Sequence, residues 1–376
     1  MKNLVASKLA SFFDIGLRRE ISVNLARKKF MIGFVIGILL SKNVAFTALA
    51  EHLNPDAELE SNTRRIQRFF KDVQLDYLQI ATILLCFLPP GRLSISVDRT
   101  NWQVAGQDVN ILTVTAWCKG VGVPLFFELL DKKGNSNTKE RQLLLRRLFR
   151  LLPPRQIAAF CADREFIGEE WYKFLIKKQV PFYIRIKSNH LVTLNGVIFK
   201  SKHLALPGEK RLYSNIGIHG LQLHLAAKLI GHEKDEEEKY LLVLTNAQVG
   251  KALDIYRQRW SIEVFFQSLK KRGFNLENTH LDELVKLKKL FAFVCLAFAC
   301  CLKIGIWKQE CIKPMKKKKN GYKPNSFFRY GLNEIRGALL HLEKRAERFA
   351  QIVKELLQGL IDNLDGWSTL NFILRL

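Results

Sequence analysis

Through the first 88 residues the apolar positions recur at helical spacing, with no stretch of strand-like alternation. Val44–His52 reads as a short apolar helix that Asn54-Pro55 breaks. Ser61-Asn62-Thr63 then caps a second helix, Arg64–Lys71, whose polar side carries Arg64, Arg65, Arg68 and Lys71. A short helix, a turn and a basic helix match a helix-turn-helix reader of DNA, and equally a solvated basic face on an ordinary helix. Pro89-Pro90-Gly91 marks a boundary. Beyond it Leu93–Val97, Val109–Cys118 and Val123–Leu130 read as three strands joined by tight turns. Thr138–Leu152 is an amphipathic helix with Leu143, Leu144, Leu148, Leu151 and Leu152 on its apolar side. A strand (Gln156–Ala162), a helix (Glu169–Lys178) and a strand (Phe182–Ile186) follow. This order predicts an α/β fold with a mixed sheet covered by helices.

Residues 187–248 break that rhythm. Short strand candidates (Gly196–Phe199, Arg211–Ile216, Leu221–Ile230, Tyr240–Thr245) alternate with polar turns and an acidic loop, Glu233–Glu238, as in a β-rich insertion. Helix returns at Gly250–Arg272 and Leu281–Ile306. The run Lys316–Lys319 sits in a loop bounded by Pro314, Gly321 and Pro324, and Ser326–Leu376 is helical again. The expected division is a helical region (1–88), a first core segment (89–186), the insertion (187–248), a second core segment (249–310) and a C-terminal helical region suited to dimerisation (311–376).

Composition narrows the partner. Among 376 residues, 60 Lys and Arg face 35 Asp and Glu, a formal charge of +25. With 48% hydrophobic residues this basicity belongs to a folded chain rather than a disordered tail, and it points to a polyanion, nucleic acid before a membrane surface. The longest apolar runs, Phe30–Leu40, Ile80–Pro90 and Phe291–Leu302, stop short of the ~18–20 residues of a membrane span, and Met1–Arg18 lacks a signal-peptide core. Seven cysteines without a C-x-x-C read as reduced core thiols of a cytoplasmic protein, and disfavour zinc.

Two carboxylates, Asp98 and Asp163, follow predicted strands, where a rigid backbone delivers a side chain to solvent; either residue would equally begin a turn. A third feature is more regular. Tyr256, Arg259, Glu263 and Lys270 are spaced by 3, 4 and 7, so on one helix their directions fall within about 60°. Trp260 borders that stripe, roughly 40° from Tyr256, while Phe265 and Leu269 lie on the side that buries. The plain account is a surface stripe with an Arg259–Glu263 ion pair worth a few tenths of a kcal/mol.

The spacing Tyr-x2-Arg-x3-Glu-x6-Lys resembles the YREK signature of DDE transposases of bacterial insertion sequences, insertion-sequence family four. Ile95-Ser96-Val97-Asp98-Arg99-Thr100-Asn101-Trp102 is similar to that family's first-aspartate block, and Ala162-Asp163-Arg164-Glu165-Phe166 to its second. The segment Leu130–Thr138 between them is also typical of the group. The resemblance, from about Leu93 to Lys270, implies a ribonuclease-H-like core interrupted by a β-rich insertion. It implies Asp98, Asp163 and Glu263 as ligands of catalytic Mg²⁺ (Mn²⁺ being the alternative), with oxygen donors suited to a two-metal phosphoryl transfer. Arg259 and Lys270 carry the charge to grip the DNA phosphates flanking the scissile bond and Tyr256 has a hydroxyl to donate to one more, while Glu165 is the nearest rival ligand.

The implied partners are double-stranded DNA, as element ends and target, and a second copy of the chain in a synaptic homodimer. Some relatives cut through a DNA hairpin with a flipped base stacked on tryptophan, a role open to Trp260; their further tryptophan in the insertion has no counterpart, since no Trp occurs between Trp171 and Trp260. A tyrosine recombinase is disfavoured because none of the eight histidines is followed three residues later by Arg. The competing class is a catalytically inactive or domesticated transposase-derived DNA-binding protein.

Overall fold

The computed structural model describes residues 25–104, 107–231, 238–270, 273–319, 321 and 323–373. Most of the acidic loop Glu233–Glu238 and all of Met1–Arg18 lie outside them. The chain divides into two compact units, one built from residues 91–100 and 111–264, the other from 1–90, 101–110 and 265–376.

The first unit holds a mixed α/β layer. Its strands are β1 (Leu93–Val104), β2 (Gln107–Cys118), β3 (Val121–Leu130), β4 (Ile157–Ala162), β5 (Phe182–Arg185), β6 (Leu191–Leu194), β7 (Val197–Lys200), β8 (Lys210–Ile218), β9 (Leu221–Leu229) and β10 (Tyr240–Thr245). They form one open sheet in the order β3-β2-β1-β4-β5-β10-β9-β8-β6-β7, with the outer ends of β1 and β2 (residues 101–110) grouped with the other unit. β4 runs parallel to both β1 and β5, which requires the crossover helix α6 (Glu169–Lys177) between β4 and β5. β10 is antiparallel to β5 and to β9, so the strands after residue 187 extend the same sheet. β6 had no counterpart in the sequence pattern.

Helix α5 (Thr138–Leu151) starts at a capping box in which Asn137 accepts from the Glu140 N–H and Glu140 accepts from the Asn137 N–H. It buries Leu144, Leu145 and Leu148, but Leu143, expected on the apolar face, is exposed. A second expectation also changes. β1 does not end at Asp98 but runs on to Val104, because the residues that leave β4 stay in the sheet beside β2.

The Gly250–Arg272 helix is not continuous either. α7 (Ala252–Tyr256) and α8 (Trp260–Leu269) are separated by a 3₁₀ turn, Arg257–Arg259. α8 is seated on the sheet at Gly122 of β3. A Cβ there would stand 3.1 Å from the Ser261 carbonyl oxygen and 2.7 Å from Thr115 Oγ1, so only glycine fits without a shift.

The second unit is helical: α1 (Leu25–Ser41), α2 (Phe46–Leu53), α3 (Leu59–Asp72), α4 (Tyr77–Leu85), α9 (Leu284–Trp307), α10 (Phe327–Leu340) and α11 (Ala346–Ile373). α9 is its axis. Segment Leu284–Ile312 is long and apolar enough to cross a membrane, unlike the short run Phe291–Leu302 expected, yet 83% of its most apolar window is buried inside the protein. The cover is aromatic: Phe293 lies with its ring centroid 4.9 Å from Phe34, 5.9 Å from Phe69 and 6.2 Å from Phe70. The buried Lys289 on α9 donates to the Phe70 carbonyl at 2.7 Å, and Arg336 on α10 donates to Leu40 O at 3.0 Å. α9 and α10 cross backbone to backbone, since a Cβ at Gly305 would lie 1.8 Å from Phe327 O and one at Gly331 1.8 Å from Cys301 O.

Candidate active site

Parallel pairing puts the two aspartates side by side. Val97 of β1 is in register with Ala162 of β4, and the residues that come next are Asp98, within β1, and Asp163, just past the end of β4. Each carboxylate accepts from the N–H that follows it: Asp98 Oδ1 from Arg99 N at 2.7 Å, and Asp163 Oδ1 from Arg164 N. Each is thereby turned back along its own chain, and Asp98 keeps its second oxygen for another partner.

The third carboxylate arrives from α8. Arg259, in the 3₁₀ turn and only 8% exposed, donates Nη1 to Asp98 Oδ2 at 3.0 Å and Nη2 to Glu263 Oε1. One guanidinium therefore spans a carboxylate on β1 and another on α8, whose positions in the chain are 161 apart from the Arg on one side and 4 on the other. The i,i+4 pair foreseen in the sequence is present, but it is half of a bridge.

Burial pushes the Asp98 carboxyl up to about 6; Arg259 and the Arg99 N–H pull it back, and Asp163 and Glu263 push it further. For Arg259 burial acts downward, but Tyr256 and the three carboxylates outweigh it and hold the guanidinium above its ordinary value. Tyr256 lies in an apolar cluster with Ala159, Cys161, Tyr183 and Val243. Burial raises its phenol, and its hydroxyl has no hydrogen-bond partner among the described residues. Arg259 passes 5.9 Å from the centroid of that ring.

Trp260, the first residue of α8, is 59% exposed and is therefore not a core tryptophan. Lys270 follows the last residue of α8, is half-buried, and its carbonyl accepts from Gly273 N at 2.8 Å. It belongs to the helical unit, as do Arg64, Arg65 and Arg68, all exposed on α3.

Glu165 is engaged elsewhere. It accepts from Arg99 Nε at 3.2 and 3.1 Å and from Ser136 N and Oγ at 3.0 Å each, with Arg141 at 4.0 Å. Arg99 also donates to Asn135 Oδ1 at 3.0 Å. This network ties the residue after Asp98, the loop after β3 and the turn after Asp163 into one knot, so Glu165 fixes the ground on which the aspartates stand. Arg99, Ser136 and Arg141 were missed in the sequence. The one signal for them was position, Arg99 adjoining Asp98 and Ser136 falling within the Leu130–Thr138 segment.

Among the described residues no three His, Cys, Asp or Glu side chains are close enough to hold a metal ion together. The donor chemistry nevertheless fits a hard divalent cation. Asp98, Asp163 and Glu263 offer only carboxylate oxygens, the charges of Asp163 and Glu263 raise the proton affinity of Asp98, and a cationic group already sits between two of them.

An open sheet of this topology, with aspartates on adjacent parallel strands and a glutamate brought in by a helix, defines the ribonuclease-H-like class. The family model of the transposase DDE domain matches residues 89–300, more than half of the chain. The chain belongs to the DDE transposase family. No curated protein matches it significantly.

Proposed function

We propose that this chain is the transposase of an insertion sequence of family four, binding the terminal inverted repeats of its element, cutting the ends and joining their 3′-hydroxyls to target DNA. The observation that carries the reading is the Arg259 bridge between Asp98 and Glu263 beside Asp163, because it joins the YREK spacing to both aspartate blocks. Asp98, Asp163 and Glu263 would hold Mg²⁺ or Mn²⁺, which when bound supplies Lewis-acid stabilisation of the phosphoryl group and of the attacking and leaving oxygens. Arg259 moves from the carboxylates to a DNA phosphate, Lys270 grips another, and Tyr256 keeps Arg259 aligned by packing under it. Arg64, Arg65 and Arg68 contact DNA from the helical region 1–88, the core segments 89–186 and 249–310 carry the chemistry around the insertion 187–248, and region 311–376 pairs two copies in synapsis. The protein works in the cytoplasm, on the nucleoid when bound.

The test is incubation of a labelled duplex carrying an element end with Mg²⁺, Mn²⁺ or chelator, at a series of pH values. Cutting is expected with either ion and not with chelator. Asp98 must be ionised to serve as a ligand, so the rate falls as pH drops through about 6, and a bound cation moves that limb lower. Cutting undiminished by chelator would overturn the reading.

Trp260 gives a second expected result. Its exposed ring offers a face for a flipped base, and stacking of this kind is worth about 1–3 kcal/mol. Trp260→Ala should still nick the element end but accumulate nicked DNA at the expense of double-strand breaks on a denaturing gel. Equal nicking and breakage in variant and parent would remove the base-stacking role.

A further inference from the structure

Within the helical unit a cleft of about 610 Å³ opens between α3, the start of α2, the segment before α9 and the first turn of α9. One wall presents Arg64, Arg68 and Lys71, and the other Thr279, His280 and Lys286; among the described residues no carboxylate lines it. The wall residues of α3 (63, 64, 67, 68, 70 and 71) fall within about 160° of its circumference. Arg65 lies roughly 60° outside that arc, its guanidinium 5.9 Å from the Phe30 ring centroid.

The walls are held firmly. The buried Asn62 amide donates to Ala50 O at 3.1 Å and Asn54 O at 2.8 Å, locking α3 to α2, and Lys289 secures the far end of α3 through Phe70 O. Two of the cations rest on carboxylates outside the lining, Arg64 on Glu60 at 2.6 Å and Lys286 on Glu283. These exposed pairs are worth little and exchange readily for a phosphate.

We infer that this cleft grips the sugar-phosphate backbone of duplex DNA and reads no bases. The inference rests on the DNA-cutting role proposed above but assigns α3 differently from a helix-turn-helix. A recognition helix must enter a major groove about 12 Å wide with its polar face bare, and side chains at its front must reach base edges. The polar face of α3 instead looks across a cleft at Thr279, His280, Leu281 and Lys286. Cations on two facing walls, with hydroxyls between, suit a line of phosphates running through the cleft.

Fluorescence anisotropy of the full-length protein with two labelled duplexes of unrelated sequence, over a range of salt, tests this. Arg68→Gln and Lys286→Gln, one from each wall, should each weaken binding to both duplexes by the same factor and lower the salt slope by about one. Lys344→Gln, an exposed cation outside the cleft, removes the same charge and should leave the slope unchanged. A loss confined to one duplex would make α3 a base reader and overturn the inference. So would a loss with Arg68→Gln but not with Lys286→Gln. The assay reads no cleavage: a protein that grips both duplexes through the cleft but never cuts keeps this inference and loses the transposase reading, and the converse result separates them the other way.

Discussion

Alanine at Asp98, Asp163 or Glu263 is expected to lower strand cleavage by about a thousandfold or more while leaving the affinity for DNA nearly unchanged. The magnitude follows from charge stabilisation of several kcal/mol by a bound cation, with each 1.36 kcal/mol a factor of ten. The three changes should differ in one respect. Asp98→Ala and Glu263→Ala each remove one anchor of the Arg259 guanidinium, whereas Asp163→Ala leaves both of its hydrogen bonds in place. The first two therefore cost some stability as well, and Asp98→Asn or Glu263→Gln separates lost charge from lost support. Gel assays of cleavage alongside anisotropy measure both quantities. Near-parental cutting by any one of the three alanine variants would remove that residue from the catalytic set.

Phe293→Ala should destabilise the helical unit by about 3–5 kcal/mol, the usual cost of deleting a buried phenyl group and leaving a cavity. The side chain is fully buried, and it is where α1 and α3 meet α9 through Phe34, Phe69 and Phe70. At roughly 2–4 °C per kcal/mol for a unit of this size, the melting temperature falls by about 10 °C. Thermal melts followed by circular dichroism give the value, and a drop of only a degree or two would mean that the cavity refills. The same contacts bear on truncation. Deleting residues 1–80 strips the aromatic cover from α9, so a loss of DNA binding in such a fragment would report a broken core before it reported a lost reader.

The alternating strands, the amphipathic helix that begins at Thr138 and the two aspartates that follow apolar strand patterns were legible because each is a local signal, carried by neighbours in the chain. So was the grouping of Tyr256, Arg259 and Glu263, although the arithmetic assumed an unbroken helix where the chain inserts a 3₁₀ turn. What stayed hidden is non-local. Nothing near Arg259 announces a partner on β1, and Glu165 looked like a spare ligand because its own partners, Arg99, Ser136 and Arg141, come from elsewhere in the chain. The helical pattern at the two ends of the chain likewise gave no hint that α9 threads between them. Its apolar faces are buried all round, and a one-dimensional pattern does not say against what.

Gly122 turns a missing methyl group into a lever. The helix carrying Glu263 rests its first turn on β3 where Ser261 O meets the bare α-carbon, and Arg259 lies two residues before that fulcrum while Glu263 lies two residues after it. Lifting the fulcrum by the width of a side chain would raise both arms away from Asp98 at once. The height of the candidate active site above its sheet is thus set by a residue with no chemistry of its own, and drift at that position would disarm the protein while every charged group remained in the sequence.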